Sequence, residues 1–197
     1  MADGAVLAHE EGHDLDRTRK TAMWAFLGSE VFFFGSMIST FLLYRTTTAG
    51  GPGAEIFNIP FTSASSFVLL MSSLTMVLAD HAVTVRRDNR QARVWLLGTA
   101  LLGSIFLAGQ AFEFTTFARE GLTFGRSPFS SAFYMLTGFH GLHVAGGVLL
   151  LLMLVATSLR KPLHTEGGLR VEIIALYWHF VDIVWIVIFT VVYLMQV

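Results

Sequence analysis

Five long apolar stretches constrain this chain more than any other feature of its sequence. A bilayer core of about 30 Å requires roughly 20 largely apolar residues in a helix, and each stretch reaches that length. The stretches lie at approximately 22–44, 61–85, 94–117, 131–159 and 171–194. Only 14% of the residues are charged, whereas soluble domains carry about 25%. We therefore expect an all-α integral membrane protein, a bundle of five transmembrane helices.

Lysine and arginine are unevenly distributed around the five spans. Ten of the 13 lie in residues 1–21 and in the second and fourth loops, and three lie in the first and third loops. Cytoplasmic loops carry the excess of these residues, so the N-terminus is expected inside and the C-terminus outside. Residues 1–21 form a polar N-terminal tail without an apolar core or a small-residue cleavage site, which argues against a signal peptide.

The sequence excludes several kinds of chemistry. It contains no cysteine, which removes disulfides, thiolate catalysis, iron–sulfur clusters and cysteine-based zinc sites. No serine stands in a strained glycine-rich elbow beside a paired base, so nucleophilic catalysis has little support. The function must therefore be sought in the polar residues that interrupt the apolar spans.

Polar residues inside apolar spans are the candidate functional residues, because ionisable groups in hydrocarbon are costly and persist mainly where they face protein or water. Seven are singled out: Glu30, Gln110, Glu113, His140, His143, His179 and Asp182. At 1.5 Å per residue, the glutamate of the first span and the histidines and aspartate of the fourth and fifth lie roughly 12–18 Å from a membrane edge. One polar layer contributed by three helices can therefore form inside the bundle.

Such a layer permits three interpretations. The simplest is packing, in which the polar groups hydrogen-bond one another, fix which helices are neighbours and perform no chemistry. The second is a metal site, which would make the chain a free-standing membrane metalloenzyme. Its ligands would be His140, His143 and His179 with one carboxylate, although i, i+3 spacing is weak evidence for it. The third is a proton path, for which Glu30 within the first span is the best candidate.

Four sequence blocks carry a family resemblance. They are Ser-Glu-Val-Phe-Phe-Phe-Gly at 29–35, Gln-Ala-Phe-Glu-Phe at 110–114, Gly-Phe-His-Gly-Leu-His-Val at 138–144 and Tyr-Trp-His-Phe-Val-Asp-Ile-Val-Trp at 177–185. One block lies in each of the first, third, fourth and fifth spans, in the order of subunit III of the haem–copper terminal oxidases. Over nearly its whole length except the tail, the chain resembles the short bacterial five-helix form of that family, found in cytochrome c oxidase and cytochrome o ubiquinol oxidase.

The resemblance implies a non-catalytic subunit of a proton-translocating oxidase that itself carries no haem or copper. Those cofactors belong to partner subunits, and this subunit packs directly on subunit I in a complex that includes subunit II and can include a small subunit. It binds phospholipid in a V-shaped cleft, stabilises the oxidase through turnover and supports proton uptake. The implied location is the bacterial cytoplasmic (inner) membrane, with no nucleic-acid partner.

The family pattern also assigns roles to residues. Glu30 matches a buried glutamate beside the lipid cleft. Glu113, Asp182 and the three histidines match an internal polar network, which favours packing over metal binding. Arg160 matches a basic residue near a lipid headgroup. With Lys161 and His164, it stands at the inner end of the fourth span, where basic residues either bind anionic headgroups or only follow the inside-positive rule.

Two departures limit what the resemblance transfers. The chain lacks the first two helices of the seven-helix mitochondrial type, so lipid contacts made by those helices are not carried over. Features of both oxidase branches also occur. Ser29 and Glu30 are similar to cytochrome c oxidase, whereas Ala49–Pro52 and Phe189–Met195 are similar to ubiquinol oxidase. Cytochrome c is favoured as the electron donor, with ubiquinol as the alternative.

Overall fold

The computed structural model describes residues 2–163 and 168–195, with side chains from residue 14 onward. All regular structure in those ranges is helical, and five helices are long and apolar enough to cross a membrane. They are α1 (Ala2–Tyr44), α2 (Ile59–Thr84), α3 (Asn89–Arg119), α4 (Pro128–Ser158) and α5 (Gly168–Phe189), which a π-helical turn (Thr190–Leu194) follows. The predicted all-α architecture with five helices of membrane-spanning length is confirmed.

Polar caps place two helix starts outside the apolar stretches. The Asp88 carboxylate accepts the backbone N–H groups of Arg90 at 2.9 Å and Gln91 at 3.1 Å, so α3 begins at once after it. At the start of α4, Ser127 and Ser130 form a reciprocal capping box. Each cap satisfies backbone N–H groups that a helix leaves unpaired, which fixes where the helix begins.

The first helix is much longer than its apolar stretch. It contains 43 residues, which corresponds to about 65 Å at 1.5 Å per residue. The segment apolar enough to span a membrane is Asp14–Tyr44, so the polar residues before it continue the same helix. No proline interrupts residues 2–44, and nothing in the local sequence therefore forces the helix to begin later.

The helices pack around a buried tryptophan on α5. Helix α2 packs along α3, α4 packs against α3, and α5 contacts α2, α4 and α1. The fully buried Trp178 donates its indole N–H to Ser72 Oγ at 2.9 Å. Its ring lies between Gly103 and Gly147, where an added Cβ would come within 2.6 and 2.7 Å of ring carbons. These two glycines therefore allow α3 and α4 to close on the indole.

Candidate functional site

Two of the predicted polar residues meet between α1 and α4. His143 Nε2 lies 3.2 Å from Glu30 Oε2, and the two side chains are 18% and 16% exposed. The geometry is that of a close polar contact rather than a directed hydrogen bond. His143 Nδ1 lies 2.7 Å from the carbonyl oxygen of Phe139. Because a carbonyl oxygen can only accept, Nδ1 carries a hydrogen, and Nε2 is the atom that can exchange a proton with Glu30.

Aromatic rings enclose this pair on one side. Phe34 packs its edge against the His143 ring at 5.0 Å between centroids, and Phe33 lies at 6.3 Å. Phe32, in contrast, is 81% exposed, because three consecutive residues of a helix point in different directions. On the other side, the Tyr177 hydroxyl donates to the backbone carbonyl of His143 at 2.9 Å. Helices α1, α4 and α5 are therefore joined at one depth.

The predicted residues of α5 are joined through a serine that sequence reasoning missed. Ser73 Oγ, on α2, lies 2.7 Å from His179 Nδ1, and its hydroxyl also interacts with the Asp182 carboxyl. Asp182 is only 3% exposed. Neither of its oxygens has a hydrogen bond of regular geometry within residues 2–163 and 168–195. The i, i+3 spacing places both residues on the face of α5 that meets Ser73.

The two predicted residues of α3 face different helices. Gln110 Nε2 donates to the backbone carbonyl of Thr137 on α4 at 2.7 Å. Glu113, 6% exposed, accepts a short hydrogen bond from the Thr62 hydroxyl on α2. Both partners are ordinary residues of apolar helices, and the sequence indicated neither of them. Gln110 and Glu113 therefore tie α3 to both of its neighbours.

His140 stands apart from these polar contacts. It is fully buried, and its ring stacks on Trp185 with centroids 4.8 Å apart and planes at 26°. The edge of Phe106 approaches it at 5.9 Å. Neither ring nitrogen has a hydrogen-bond partner among the described residues. In this arrangement His140 packs as an aromatic ring within the core.

The polar residues predicted to form one layer thus make separate contacts with different helices. His143 faces α1, His140 faces Trp185 and His179 faces α2. In the part of the chain that the structure describes, no three His, Asp or Glu side chains are placed to hold a metal ion. The ligand set proposed for a metalloenzyme is therefore not assembled. The arrangement can instead hold helices together and share protons within pairs.

A groove lies on the same α1–α4 seam as the Glu30 pair, towards the C-terminal end of α1. Its volume is about 480 Å³. It is lined by Ser36, Met37, Thr40, Tyr44, Pro128, Ser131, Ala132 and Met135. At the opposite end of α4, Arg160 is exposed in the turn that follows the helix, where its backbone N–H donates to Thr157. His164, the other residue predicted at a lipid headgroup, lies outside the described residues.

Comparison with known proteins agrees with these features. A family model described as cytochrome c oxidase subunit III matches residues 5–197. The cytochrome c oxidase subunit 3 of Bacillus sp. (strain PS3) is 42% identical over 173 residues, 87% of this chain and 83% of the relative. The cytochrome bo(3) ubiquinol oxidase subunit 3 of Pseudomonas aeruginosa is 39% identical over 195 residues, 95% and 93% of the two chains.

A relative from a third oxidase is also similar. The quinol oxidase subunit 3 of Bacillus spizizenii is 36% identical over 173 residues, which cover 87% of this chain and 84% of the relative. The match with the family model spans all five helices. The chain, a multi-pass membrane protein, therefore belongs to the cytochrome c oxidase subunit III family, the third subunits of haem–copper terminal oxidases that use cytochrome c or quinol.

Proposed function

We propose that this chain is the non-catalytic subunit III of a respiratory oxidase that accepts electrons from cytochrome c. It packs directly on subunit I, binds phospholipid in a cleft, keeps the complex stable through turnover and supports proton uptake during oxygen reduction. Haem and copper lie in the partner subunits, subunit II among them. The observation that carries this proposal is the α1–α4 seam, because it contains both an apolar groove and the Glu30–His143 pair.

The groove supports the binding of lipid. Ala132, Met37 and Met135 give it apolar walls, and it lies between two helices that are long and apolar enough to cross a membrane. Around it, α1 exposes large apolar side chains, among them Val31 at 57% and Leu43 at 70%. The Ser36 and Thr40 hydroxyls that line it already donate to carbonyl oxygens of α1. Water would therefore gain few hydrogen bonds in the groove, whereas an acyl chain would fill it with van der Waals contacts.

The Glu30–His143 pair supports a role in proton uptake. The pair is buried except for about one-sixth of each side chain, and the proton between Glu30 and His143 Nε2 can reside on either atom. Such a pair exchanges a proton without leaving an isolated charge in the membrane. The excess of positive residues in the N-terminal tail and in the second and fourth loops supports an N-terminus inside, with the five helices in the bacterial cytoplasmic membrane. Arg160 then lies at the inner surface, where anionic headgroups bind basic residues.

Filling the groove tests the lipid proposal. The variant Met135→Trp places an indole where the acyl chain would lie. Leu152→Trp is the matched control, since the two positions on α4 are similarly exposed, at 42% and 44%, and Leu152 does not line the groove. We expect Met135→Trp to retain less phospholipid per purified complex and to inactivate sooner during turnover. Equal lipid content and equal lifetimes in both variants would refute the proposal.

The electron donor requires a separate assay, because relatives of both oxidase types are similar to this chain. The purified complex is supplied with reduced cytochrome c or with ubiquinol, and oxygen consumption is measured. Rapid consumption with cytochrome c alone supports the proposal. Consumption with ubiquinol alone would assign the chain to a quinol oxidase and leave the proposed roles of the groove and of Glu30 unchanged.

A further inference from the structure

Three polar side chains lie in a row between α2 and α5. His179 Nδ1 contacts Ser73 Oγ at 2.7 Å, and the Ser73 hydroxyl interacts with the Asp182 carboxyl. Asp182 is enclosed, and neither of its oxygens has a hydrogen bond of regular geometry among residues 2–163 and 168–195. A carboxylate without hydrogen-bond donors is costly away from water. Asp182 must therefore either be protonated or accept a hydrogen bond from a neighbouring side chain.

The hydrogens of these three side chains can be arranged in two ways, one with Asp182 protonated and one with Asp182 accepting a hydrogen bond. Ser73 has one hydroxyl hydrogen and can donate to only one neighbour at a time. In the first state, a neutral Asp182 donates to Ser73 Oγ, and Ser73 donates to His179 Nδ1. In the second state, His179 Nδ1–H donates to Ser73 Oγ, and Ser73 donates to the Asp182 carboxylate. The two states differ by the transfer of one proton between Asp182 and His179, with both hydrogen bonds reversed.

We propose that His179, Ser73 and Asp182 form a proton relay that loads a buried proton-binding site at Asp182. The proton arrives at His179, leaves from Nδ1 to Ser73 Oγ, and the serine hydroxyl passes its own hydrogen to Asp182. No bond other than O–H and N–H bonds is made or broken. This inference goes beyond the proposed role of the α1–α4 seam and does not depend on it.

Acidic residues lead from this relay to the end of the bundle where α5 begins. Asp80 lies on α2 seven residues after Ser73, about 10.5 Å further along the helix axis. It interacts electrostatically with His179 and with Glu172. One Asp80 oxygen is buried without a hydrogen-bond partner in the described part of the chain. Glu172 pairs with Lys20 at 2.7 Å, and its side chain is 44% exposed, so it reaches the aqueous phase.

The row ends at Asp182 and does not cross the bundle. The next polar residue on the same face of α2 is Ser66, seven residues from Ser73. Its Oγ accepts the indole N–H of Trp185 at 2.8 Å. An indole N–H donates but cannot accept, so it passes no proton onward. The fully buried Leu69 separates the two serines. Asp182 is therefore a storage site reached from one end, not a step in a channel.

Infrared spectroscopy of the purified complex tests the relay. A neutral buried carboxylic acid gives a C=O stretching band that shifts when its proton exchanges for deuterium. We expect Asp182→Asn to remove one such band. Ser73→Ala should keep the band and slow its exchange by about tenfold or more, which corresponds to about 1.4 kcal/mol in the barrier. Ser73→Thr retains the hydroxyl and should exchange at the wild-type rate.

Ser66→Ala is the matched control, since it removes a hydroxyl from the same face of α2 beyond the end of the row. Its exchange rate should equal that of the wild type. The relay is refuted if Asp182→Asn removes no band, or if Ser73→Ala exchanges as fast as Ser66→Ala. Equal haem content in all variants separates this result from any failure of the complex to assemble.

Discussion

Replacing Gly147 by alanine tests how the tryptophan of α5 is held. The added Cβ would lie 2.7 Å from Cζ3 and 2.8 Å from Cε3 of Trp178, and 3.2 Å from Cε1 of Tyr177. The Trp178 ring has no room on its other side, where a Cβ added at Gly103 would come within 2.6 Å of the ring. The helices must therefore separate, and overpacking of this kind costs about 1–3 kcal/mol.

The hydrogen bond of Trp178 adds a second contribution to the loss of stability. Separation of the helices displaces Trp178, and the indole N–H then loses its 2.9 Å bond to Ser72 Oγ, which contributes about 0.5–1.5 kcal/mol. For a chain of this length, each kcal/mol corresponds to about 2–4 °C in Tm. Gly147→Ala should therefore lower the thermal midpoint at which this subunit leaves the purified complex by several degrees.

Gly138→Ala on the same helix is the control. Nothing lies within 4 Å of a Cβ at Gly138, so alanine there should be neutral or stabilise by up to about 1 kcal/mol through its better helix propensity. Trp178→Phe should restore part of the lost stability in the Gly147→Ala background, because the smaller ring leaves room for the methyl group. Equal midpoints for Gly147→Ala and Gly138→Ala would refute the account of the packing.

Three further substitutions address the polar contacts. Glu30→Gln should leave assembly intact and reduce turnover or the lifetime of activity, because an amide cannot exchange the proton; loss of the whole complex would contradict this view. Thr62→Val should cost about 1–3 kcal/mol, because it removes the donor to buried Glu113, whereas Thr84→Val at an exposed site should not change the melting temperature. Asp182→Ala should destabilise by a similar amount, and an unchanged melting temperature would argue against its contact with α2.

The number and type of helices could be predicted because the bilayer sets the length of an apolar span. The helix ends could not be predicted from apolar length alone. Helix α3 begins at Asn89 because the Asp88 side chain caps it, and a polar cap adds nothing to apolar length. Likewise, α1 extends to Ala2, because a helix continues through polar residues when no proline stops it.

The candidate residues could be found from the sequence, but their partners could not. Depth along a helix follows from counting residues, whereas the direction of a side chain around the helix depends on which helices are neighbours. His140 and His143 lie at similar depth, yet one stacks on Trp185 and the other contacts Glu30. Shared depth alone therefore says little about contact.

The hydroxyl partners were missed because serine and threonine are common in membrane helices. One pattern could have indicated them. Ser66, Ser73 and Asp80 recur every seven residues on α2, a spacing that keeps them on one face. That face meets α5, where Ser66 bonds Trp185 and Ser73 contacts His179. A polar heptad stripe within an apolar span thus predicts which face of a helix is buried against protein.

Purification of the tagged chain in mild detergent tests the central claim most directly, followed by a visible spectrum and metal analysis. We predict that haem and copper arrive with larger partner subunits, and that both disappear when those partners are stripped away. A chain that purifies without haem proteins and retains stoichiometric metal of its own would contradict the account. It would direct attention to His140, His143 and His179.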